Sequence, residues 1–357
     1  MAASTQARRP GPRHRALDID IRFWRKGDTE VVNNLYNDPS VRHFQTKGGY
    51  EPRTARQWEW EFASPNGGRP PPYAVATRRG RLIGFQAYIP IELLCDGELI
   101  LSGKDEDTLI HPDYRGMGLL DEMYGILFER ARRDEVAMFW GFTSTAVAPL
   151  IRNGYRSIGR FTSMRANLGS ARGGGRAASK PPRRLTVKEM VRPDSQCDEF
   201  SVLFGRQVGG VMLHLSARFL AWRVFENPFR RYKAFGAYEG DRLVGVSVFK
   251  VDARDGVGYV SDLAAVSTAG LETEEVLRAM LASGVREIRA AGLSVAEARP
   301  SGEHPFNRLV RSVLGSQGFA PVPPEQATEF LVRPIAGDGS RFFEMNCWRI
   351  SELMREY

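Results

Sequence analysis

The sequence is poor in the residues that build disulfide frameworks and metal sites. Its 357 residues include three cysteines, Cys95, Cys197 and Cys347, which lie far apart. An odd and scattered set argues against paired disulfides and against a zinc site, and it is typical of a reduced cytoplasm. The five histidines show no metal-ligand spacing. We therefore expect a cytoplasmic protein that uses no metal.

Long hydrophobic runs are also missing. No apolar stretch approaches the roughly 20 residues that a transmembrane helix needs. The N-terminus is rich in Arg, Pro and Ser but lacks the apolar segment of a secretory signal. With 42% hydrophobic and 26% charged residues, the composition is that of a globular protein long enough for two domains. The sequence therefore predicts no transmembrane segment.

Positive charge is concentrated in two short segments. The net charge is +8. Residues 1–17 contain four arginines and no acidic residue, and residues 169–184 contain five basic residues and no acidic residue, so the rest of the chain carries −1. Both segments are rich in small residues, Pro or Gly, which is typical of flexible chain. Because the remainder is nearly neutral, we expect no specific nucleic-acid partner.

The chain reads as two similar halves. We assign residues 1–17 to a disordered basic N-terminus, 18–168 to a first domain, 169–184 to a linker and 185–357 to a second domain. Residues 76–84 align without gaps to residues 237–245, and each stretch reads as strand, polar turn and strand. Trp60 in the first half corresponds to Trp222 in the second. A separation of 161 residues favours duplication of a whole domain over a solenoid repeat.

Alternating helix and strand patterns indicate an α/β (α+β) fold. Each half is expected to form a mixed, mostly antiparallel twisted sheet flanked by helices. Asp96-Gly97 predicts a type I′ turn. In the first half we predict strands at 19–24, 73–78, 82–94, 98–111 and 136–142 with a last one ending at 167, and helices at 28–37, 52–63, 117–133 and 145–152. In the second half we predict strands at 185–192 and 258–266 and helices at 196–208 and 215–226.

A glycine turn joins a strand to a helix at residues 110–120. Gly116 and Gly118 allow the backbone to curl tightly and to approach a ligand closely. The free N–H groups of the following helix, its dipole and Arg115 together predict an anion site suited to a pyrophosphate. The alternative is an ordinary turn before a surface helix. The strand–turn–helix context favours the anion site.

This motif resembles the phosphate loop of the GNAT acyltransferase superfamily. That loop reads Arg/Gln-x-x-Gly-x-Gly/Ala, and Arg115 and Gly118 match its first and fourth positions, with Leu120 at the usual small sixth position. The run from Asp107 to Gly116 is also similar to a subgroup of bacterial GNAT proteins. The resemblance implies acetyl-CoA as acyl donor, held between two strands that splay apart. Cofactor-binding candidates are Leu109, Ile110, Arg115, Gly116, Met117, Gly118, Leu119, Leu120 and Ser144.

Only the first half keeps this loop. The corresponding stretch after the strand at 258–266 lacks Arg and has one glycine. Glu272, Glu274 and Glu275 stand at the start of the next helix, where carboxylates stabilise the helix and would repel a pyrophosphate. We predict a degenerate second domain that shapes the acceptor pocket or forms a homodimer interface.

Acyl transfer to an amine needs a base, because alkylamines are protonated at neutral pH. Asp107 is our candidate, with Glu106 beside it. Strand alternation places Asp105 and Asp107 on one face and Lys104 and Glu106 on the other. A solvated acidic edge, or a Lys104–Glu106 ion pair, is the structural alternative.

Residues for the leaving group and the acceptor are less clear in the sequence. The family often has a tyrosine general acid at the position of Leu150. Tyr155 or Tyr114 are candidates to replace it, although each also suits packing. Ser144 and Thr145 are candidate contacts to the donor arm, and the alternative for Ser144 is a helix N-cap. The resemblance places the acceptor near His43, Lys47, Trp58 and Trp60, and at least one of the two tryptophans is expected in the core.

The leading interpretation is an N-acyltransferase that moves an acetyl group from acetyl-CoA to the amine of a small molecule. A weak likeness of residues 215–228 to tandem GNAT proteins of polysaccharide or cell-surface pathways suggests an amino sugar or sugar nucleotide. Two alternatives stay open. One is an aminoacyl-tRNA-dependent transferase of the tandem type, and the other is a non-catalytic acyl-CoA-binding or scaffolding protein.

Overall fold

Two β-sheets form the framework of the protein. The computed structural model describes residues 17–42, 52–63, 72–169, 182–252, 256–323, 328–335 and 339–355. The first-half strands are β1 (Ile19–Phe23), β2 (Tyr73–Arg78), β3 (Arg81–Cys95), β4 (Glu98–Ile110), β5 (Met138–Thr143), β6 (Arg156–Arg160) and β7 (Ser163–Asn167). The second-half strands are β8 (Leu185–Glu189), β9 (Val211–Leu213), β10 (Tyr232–Glu239), β11 (Arg242–Lys250), β12 (Val257–Ala265), β13 (Val295–Ala298), β14 (Ala320–Val322) and β15 (Glu329–Pro334).

Helices flank both sheets. They are α1 (Asp28–Asn37), α2 (Pro39–Arg42), α3 (Ala55–Trp58), α4 (Leu119–Arg133), α5 (Val147–Arg152), α6 (Ser195–Val208), α7 (Ala217–Leu220), α8 (Thr273–Ala290), α9 (Pro305–Ser316) and α10 (Glu352–Arg355). Helices α3 and α7 each continue into a π-helical turn, at Glu59–Ala63 and Ala221–Phe225. Short 3-10 turns cover Pro112–Tyr114, Ser340–Phe343 and Met345–Cys347.

Both sheets are mixed and mostly antiparallel, which confirms the predicted fold class. The first sheet has the order β1-β2-β3-β4-β5-β15-β6, with β9 added beside β3, and the second has the order β14-β7-β13-β12-β11-β10-β8. Among these strands only β4–β5 and β12–β13 pair in parallel. Each parallel pair is joined by a long helix, α4 or α8, as a parallel crossover requires.

Most predicted elements form close to the expected bounds. Helix α1 covers the predicted residues 28–37, and the Asp96-Gly97 turn has both residues at positive φ, as a type I′ turn needs. The helix predicted at 52–63 starts later, because Thr54 caps it in a capping box with Gln57, and it then widens into the π turn.

The sheets do not divide at the predicted linker, because the two halves exchange a strand. First-half strand β7 pairs with β13 and β14 of the second sheet. Second-half strand β15 lies between β5 and β6 of the first sheet. Each sheet therefore contains at least one strand from the other side of residues 169–184, and the division into domains at this segment stays a prediction. Alternating burial in a strand shows which face is apolar but does not identify its neighbour.

The two halves match in detail. Both hairpins, β2–β3 and β10–β11, carry a bulge at the aligned position, after Ala76 and after Ala237. A short helix and a π turn precede each hairpin. Trp60 donates from its indole to the carbonyl of Trp222 at 3.0 Å, and Trp222 donates to the carbonyl of Trp60 at 2.8 Å. Such reciprocal contacts are what duplication of one domain would give, with an approximate twofold relation between the copies.

The main hydrophobic core runs through both halves. It contains Trp60 and Trp222 at the junction and the aromatic side chains of both sheets. A second cluster packs α4 on the first sheet through Met123, Tyr124 and Leu127, which are fully buried. These residues follow helical spacing, so one face of α4 is anchored and its N-terminus is held above the ends of β4 and β5.

Candidate functional site

Strands β4 and β5 part beside the start of α4. They pair in parallel only at Ser102–Met138, Gly103–Phe139 and Lys104–Trp140. Beyond Lys104, β4 continues for six residues with β3 alone as its neighbour in the sheet. Gly141 of β5 still lies against Asp105, so among the described residues the edge of β4 without a strand partner runs from Glu106 to Ile110, on the side where the resemblance implies the donor arm. A strand edge of this kind presents backbone donors and acceptors to an extended ligand.

The glycine turn leads into α4 without a capping side chain. Gly116 and Gly118 have φ values of 75° and 82°, in the left-handed region that favours glycine. Gly118 is the N-cap of α4 and supplies no side-chain acceptor. The first N–H groups of a helix have no acceptor within the helix, so those of α4 are available to an anion. A Cβ added at either glycine would meet no atom within 4 Å.

The residues of the turn divide into exposed and buried side chains. Arg115 and Met117 are exposed, and Arg115 Nε donates to the Ile110 carbonyl at 3.1 Å. Leu119 and Leu120 are buried in the core beneath α4. Leu119 and Leu120 can therefore contribute only their backbone N–H groups to an anion site. Leu120 is bulky because it fills the core.

The second half closes the equivalent helix start. Glu272 is the N-cap of α8, and it forms a capping box in which Glu275 accepts from the Glu272 N–H at 3.2 Å. Glu274 also lies in the first turn. A carboxylate thus caps the N-terminus of α8, whereas α4, which also has Asp121 and Glu122 in its first turn, has no side-chain cap. A carboxylate at a helix N-terminus stabilises the helix and would repel a pyrophosphate there.

The C-terminal segment fills the second half's equivalent of the strand opening. Strands β12 and β13 stop pairing after Val260 and Ala298. Arg349 donates to the Leu263 carbonyl at 2.6 Å and forms a buried ion pair with Asp262. The remaining cavity between these strands and the C-terminal segment is about 20 Å³, which holds about one water molecule. A pantetheine arm has no room here.

A bulge in β4 carries Asp107. Phe85 pairs with Leu109 and Ala87 pairs with Glu106, so residues 107–108 stand opposite Gln86 alone. Asp107 has a φ of 49°, a left-handed conformation that turns its side chain away from the regular alternation. The prediction that Asp105 and Asp107 share a face is therefore wrong. A single inserted residue reverses the face of every later residue in the strand.

Asp107 and Glu61 share one arginine. Arg53 Nη1 contacts Asp107 and also Glu61 Oε2, the latter at 2.9 Å. Burial disfavours the Arg53 cation, but Asp107 and Glu61 raise its pKa above the ordinary value. The guanidinium also lies 4.7 Å from the Tyr36 ring centroid and 4.9 Å from that of Trp58. Arg53 is thus a fixed cation at the bulge.

A second ion pair lies on the same face. Lys104 donates to Glu106 at 2.7 Å, so the structural alternative considered for these two residues forms. Burial lowers the pKa of Lys104, and burial raises the pKa of Glu106 against the effect of Lys104. Burial also raises the pKa of Glu61 to about 8, although Arg53 opposes this. The face therefore combines several charges at the point where the strands part.

Asp105 lies on the opposite face, under α4. Tyr124 donates to it at 2.6 Å and Gln86 at 3.0 Å. Burial raises the pKa of Asp105 to about 7 against the hydrogen bond from Tyr124. The Tyr155 hydroxyl is buried nearby and has no hydrogen-bond partner among the described residues. Burial raises the pKa of Tyr155 well above its ordinary value, so its hydroxyl stays protonated.

The other predicted contacts to the donor differ in their setting. Leu150 is buried, so the family tyrosine position holds a core residue. Tyr114 lies in the turn before α4, where Arg78 donates to its hydroxyl at 3.2 Å. The N-cap alternative for Ser144 is wrong. Thr143 Oγ1 accepts from the Thr145 and Ala146 N–H groups at 3.1 and 2.9 Å, while Ser144 stays exposed.

The two tryptophans predicted near the acceptor are both buried. Trp58 is 2% exposed, stacks on Phe62 and donates to Asn33 at 2.8 Å, and Trp60 is 6% exposed and packs against Trp222. At least one of the two tryptophans was expected in the core, and the structure buries both. Trp58 packs against the Arg53 guanidinium, which belongs to the charged face formed by Arg53, Glu61, Lys104, Glu106 and Asp107. His43 and Lys47 lie outside the described residues.

Several residues of the site were not identified from the sequence. Arg53 lies just before α3 and Glu61 lies in the π turn after it, and nothing in their sequence spacing distinguishes them from surface residues. The resemblance, which placed the acceptor near Trp58 and Trp60, pointed to this segment but to neither Arg53 nor Glu61. Within the described residues there is no cluster of metal-ligating side chains and no helix long and apolar enough to cross a membrane.

Comparison with known proteins gives structural matches only. No protein-family model and no curated protein matches the sequence. A GCN5-related N-acetyltransferase from Anabaena variabilis superposes with a TM-score of 0.61 at 12% identity, covering 89% of this chain and 73% of that one. A tandem GNAT protein from the clavulanic acid biosynthesis pathway gives 0.54 at 15% identity, covering 90% and 99%. Saccharomyces cerevisiae N-myristoyltransferase with bound myristoyl-CoA gives 0.58 at 12% identity, covering 95% and 86%.

Proposed function

Because the chain has the fold of tandem GNAT proteins, we propose that it is an acyl-CoA-dependent N-acyltransferase whose donor site lies in the first half. One observation carries the proposal. The open edge of β4 ends beneath a glycine turn and a helix start that no side chain caps. We further propose acetyl-CoA as donor and the amine of a small molecule as acceptor, with an amino sugar or sugar nucleotide as the class suggested by the sequence.

The donor would bind through backbone groups. The pyrophosphate would accept hydrogen bonds from the first N–H groups of α4, with Arg115 beside it. The pantetheine amides would pair with the free edge of β4 near Leu109 and Ile110, as an added strand does. The thioester would then lie near the bulge, because that edge leads from the glycine turn back to Asp107.

Proton transfer would use the charged face. The acceptor amine must lose a proton before it attacks the thioester carbonyl, and Asp107 and Glu106 are the carboxylates predicted for this step. With a core leucine at position 150, no tyrosine there protonates the departing sulfur. A thiol with a pKa of about 8.5 leaves readily without help, so positioning of the two reactants would supply most of the rate.

The second half would complete the acceptor side. Its own donor site is closed by Glu272 and by Arg349. Trp222 packs on Trp60 directly beneath the charged face, and Arg223 is buried close enough to Lys104 to lower its pKa. This supports a role in shaping the acceptor pocket.

Binding of acetyl-CoA to the full chain tests the donor site. Isothermal titration is expected to give one site per chain, and two sites would contradict a closed second half. The double variant Arg115→Ala, Gly118→Asp removes a cation and places a carboxylate beside the pyrophosphate. We expect affinity to fall about 10- to 100-fold, since a charged hydrogen bond contributes about 1.5–3 kcal/mol. Unchanged affinity would refute the placement.

A matched variant controls for backbone strain. Gly240 also has a positive φ, 60°, and open space around it, so Gly240→Asp imposes a similar strain far from the site. Its affinity should equal that of the wild type. Buried Leu150 favours a second candidate, a protein that binds acyl-CoA without transfer. Release of free CoA thiol with a panel of amines decides for transfer, and donor binding without thiol release decides for the binding protein.

A further inference from the structure

One carboxylate oxygen of Glu61 has no hydrogen-bond partner in the part of the chain that the structure describes. Glu61 lies in the π turn Glu59–Ala63 and is fully buried. Its Oε2 accepts from Arg53 at 2.9 Å, while Oε1 has no hydrogen-bond partner among the described residues. Buried carboxylate oxygens are almost always satisfied, because leaving one without a donor costs free energy. An open oxygen of this kind is suited to a donor that arrives with a ligand.

Its position connects it to the proposed reaction. The Arg53 nitrogen that binds Glu61 also binds Asp107, so Glu61 lies next to the bulge where β4 and β5 have parted. The groups that face it come from three segments: Arg53 before α3; Lys104, Glu106 and Asp107 on β4; and, next to Lys104, Arg223 of the second half. Glu61 therefore belongs to the same charge cluster as Asp107, where an acceptor amine would meet the acyl group in the proposed reaction.

We propose that Glu61 Oε1 takes the proton from the acceptor ammonium, and this inference rests on the function proposed above. An N–H bond of the ammonium breaks and an O–H bond forms on Glu61. The neutral nitrogen then bonds to the acyl carbon, the carbon–sulfur bond breaks, and the second proton lost by the nitrogen goes to the CoA sulfur. Glu61 returns its proton to water before the next cycle.

Glu61 suits this role better than its neighbours. The carboxylates of Asp107 and Glu106 are engaged in ion pairs with Arg53 and Lys104, whereas Glu61 keeps Oε1 without a hydrogen-bond partner among the described residues. The pKa of Glu61, at about 8, lies close to physiological pH, where a base both gains and releases protons. Arg53 keeps a fraction of Glu61 ionised despite complete burial.

Steady-state kinetics with acetyl-CoA and an amine panel headed by glucosamine test the inference. With the best acceptor, wild-type kcat/KM should fall as pH drops through about 8, because only the ionised carboxylate accepts a proton. Glu61→Gln should lower kcat about 100-fold or more and abolish this pH dependence, with donor affinity unchanged within twofold. Glu61→Asp should retain the dependence at reduced rate. Glu59→Gln, an exposed carboxylate on the same turn, is the matched control and should match the wild type.

Asp107→Asn gives the opposing outcome. If this variant loses the pH dependence while Glu61→Gln keeps it, Asp107 is the base and the inference is wrong. Loss of donor affinity in Glu61→Gln together with the loss of rate would show a structural role, which also overturns it.

A direct titration does not depend on the acceptor or on stability of the glutamine variant. Carbon-13 NMR of the glutamate carboxyl carbons, with Glu61 assigned from Glu61→Asp, should show it titrating above pH 7 in the full wild-type chain. A midpoint below pH 6 overturns the inference. If acetyl-CoA binds but no amine in the panel releases thiol, the proposed transfer fails for those acceptors, and the titration still decides whether Glu61 is the poised carboxylate.

Discussion

The ion pair that closes the second half allows a quantitative test. Arg349 and Asp262 are 2% and 0% exposed in their side chains, and Arg349 also donates to the Leu263 carbonyl. Ser351 donates to Asp262 at 2.8 Å. Arg349→Met keeps the apolar stem but removes the cation, so a buried carboxylate is left with a single hydroxyl donor. Breaking such a pair from one side costs about 3–5 kcal/mol of unfolding free energy.

Equilibrium urea unfolding of the full chain measures this cost through the shift in midpoint at constant slope. The double variant Arg349→Met, Asp262→Leu removes both charges, and we expect it to recover at least half of the loss, because apolar replacements of buried pairs are often nearly neutral. Arg341→Met is the control. Arg341 lies in the same C-terminal segment, but its ion pair with Asp96 is exposed, so a change below about 1 kcal/mol is expected.

Two results would refute this reasoning. A loss in Arg349→Met no larger than in Arg341→Met would mean that the pair does not seal the opening between β12 and β13. A double variant less stable than the single would mean that the charges themselves stabilise the fold. In that case the stability lost in Arg349→Met would come from loss of the ion pair itself and not from leaving the Asp262 carboxylate unpaired.

Two further predictions concern stability. Trp60→Phe and Trp222→Phe each leave a buried carbonyl without its donor and should each cost about 1–3 kcal/mol in urea unfolding; a double-mutant cycle should show coupling, and additive losses would contradict the reciprocal arrangement. Asp105 has a folded pKa of about 7, above its ordinary value of 3.8, so its ionisation destabilises the fold progressively between these pH values. Asp105→Asn should therefore gain stability relative to the wild type as pH rises from about 4 to 7 and level off above; a constant difference across this range would contradict the assignment.

Local sequence signals predicted the strand, turn and helix on which the proposed donor site lies. The glycine turn, the start of α4 and the strand before it are contiguous in the chain, so their geometry follows from turn chemistry and helix periodicity. The carboxylates at the start of α8 could also be predicted from the sequence, because Glu272 and Glu275 cap the helix in which they lie. Each of these features needs only residues that are close in sequence.

The acceptor side could not be predicted because it is assembled from distant segments. Arg53 and Asp107 are 54 positions apart, and the bulge that brings them together depends on pairing with β3. A one-residue bulge leaves no mark in the hydrophobic pattern here, because residues 104–108 of β4 are all charged or polar. Glu61 could not be identified from the sequence for the same reason, because its burial and its contact with Arg53 depend on the folded structure.

The exchanged strands also constrain how this chain can be made. Because β15 fills the gap between β5 and β6, the first sheet cannot close until the ribosome has delivered residues up to Pro334. Until then, the N-terminal half would expose two strand edges, which are the surfaces most prone to aggregation. Truncation at residues 169–184 would leave each half without one internal strand. The two halves therefore depend on each other for folding before either contributes to a reaction.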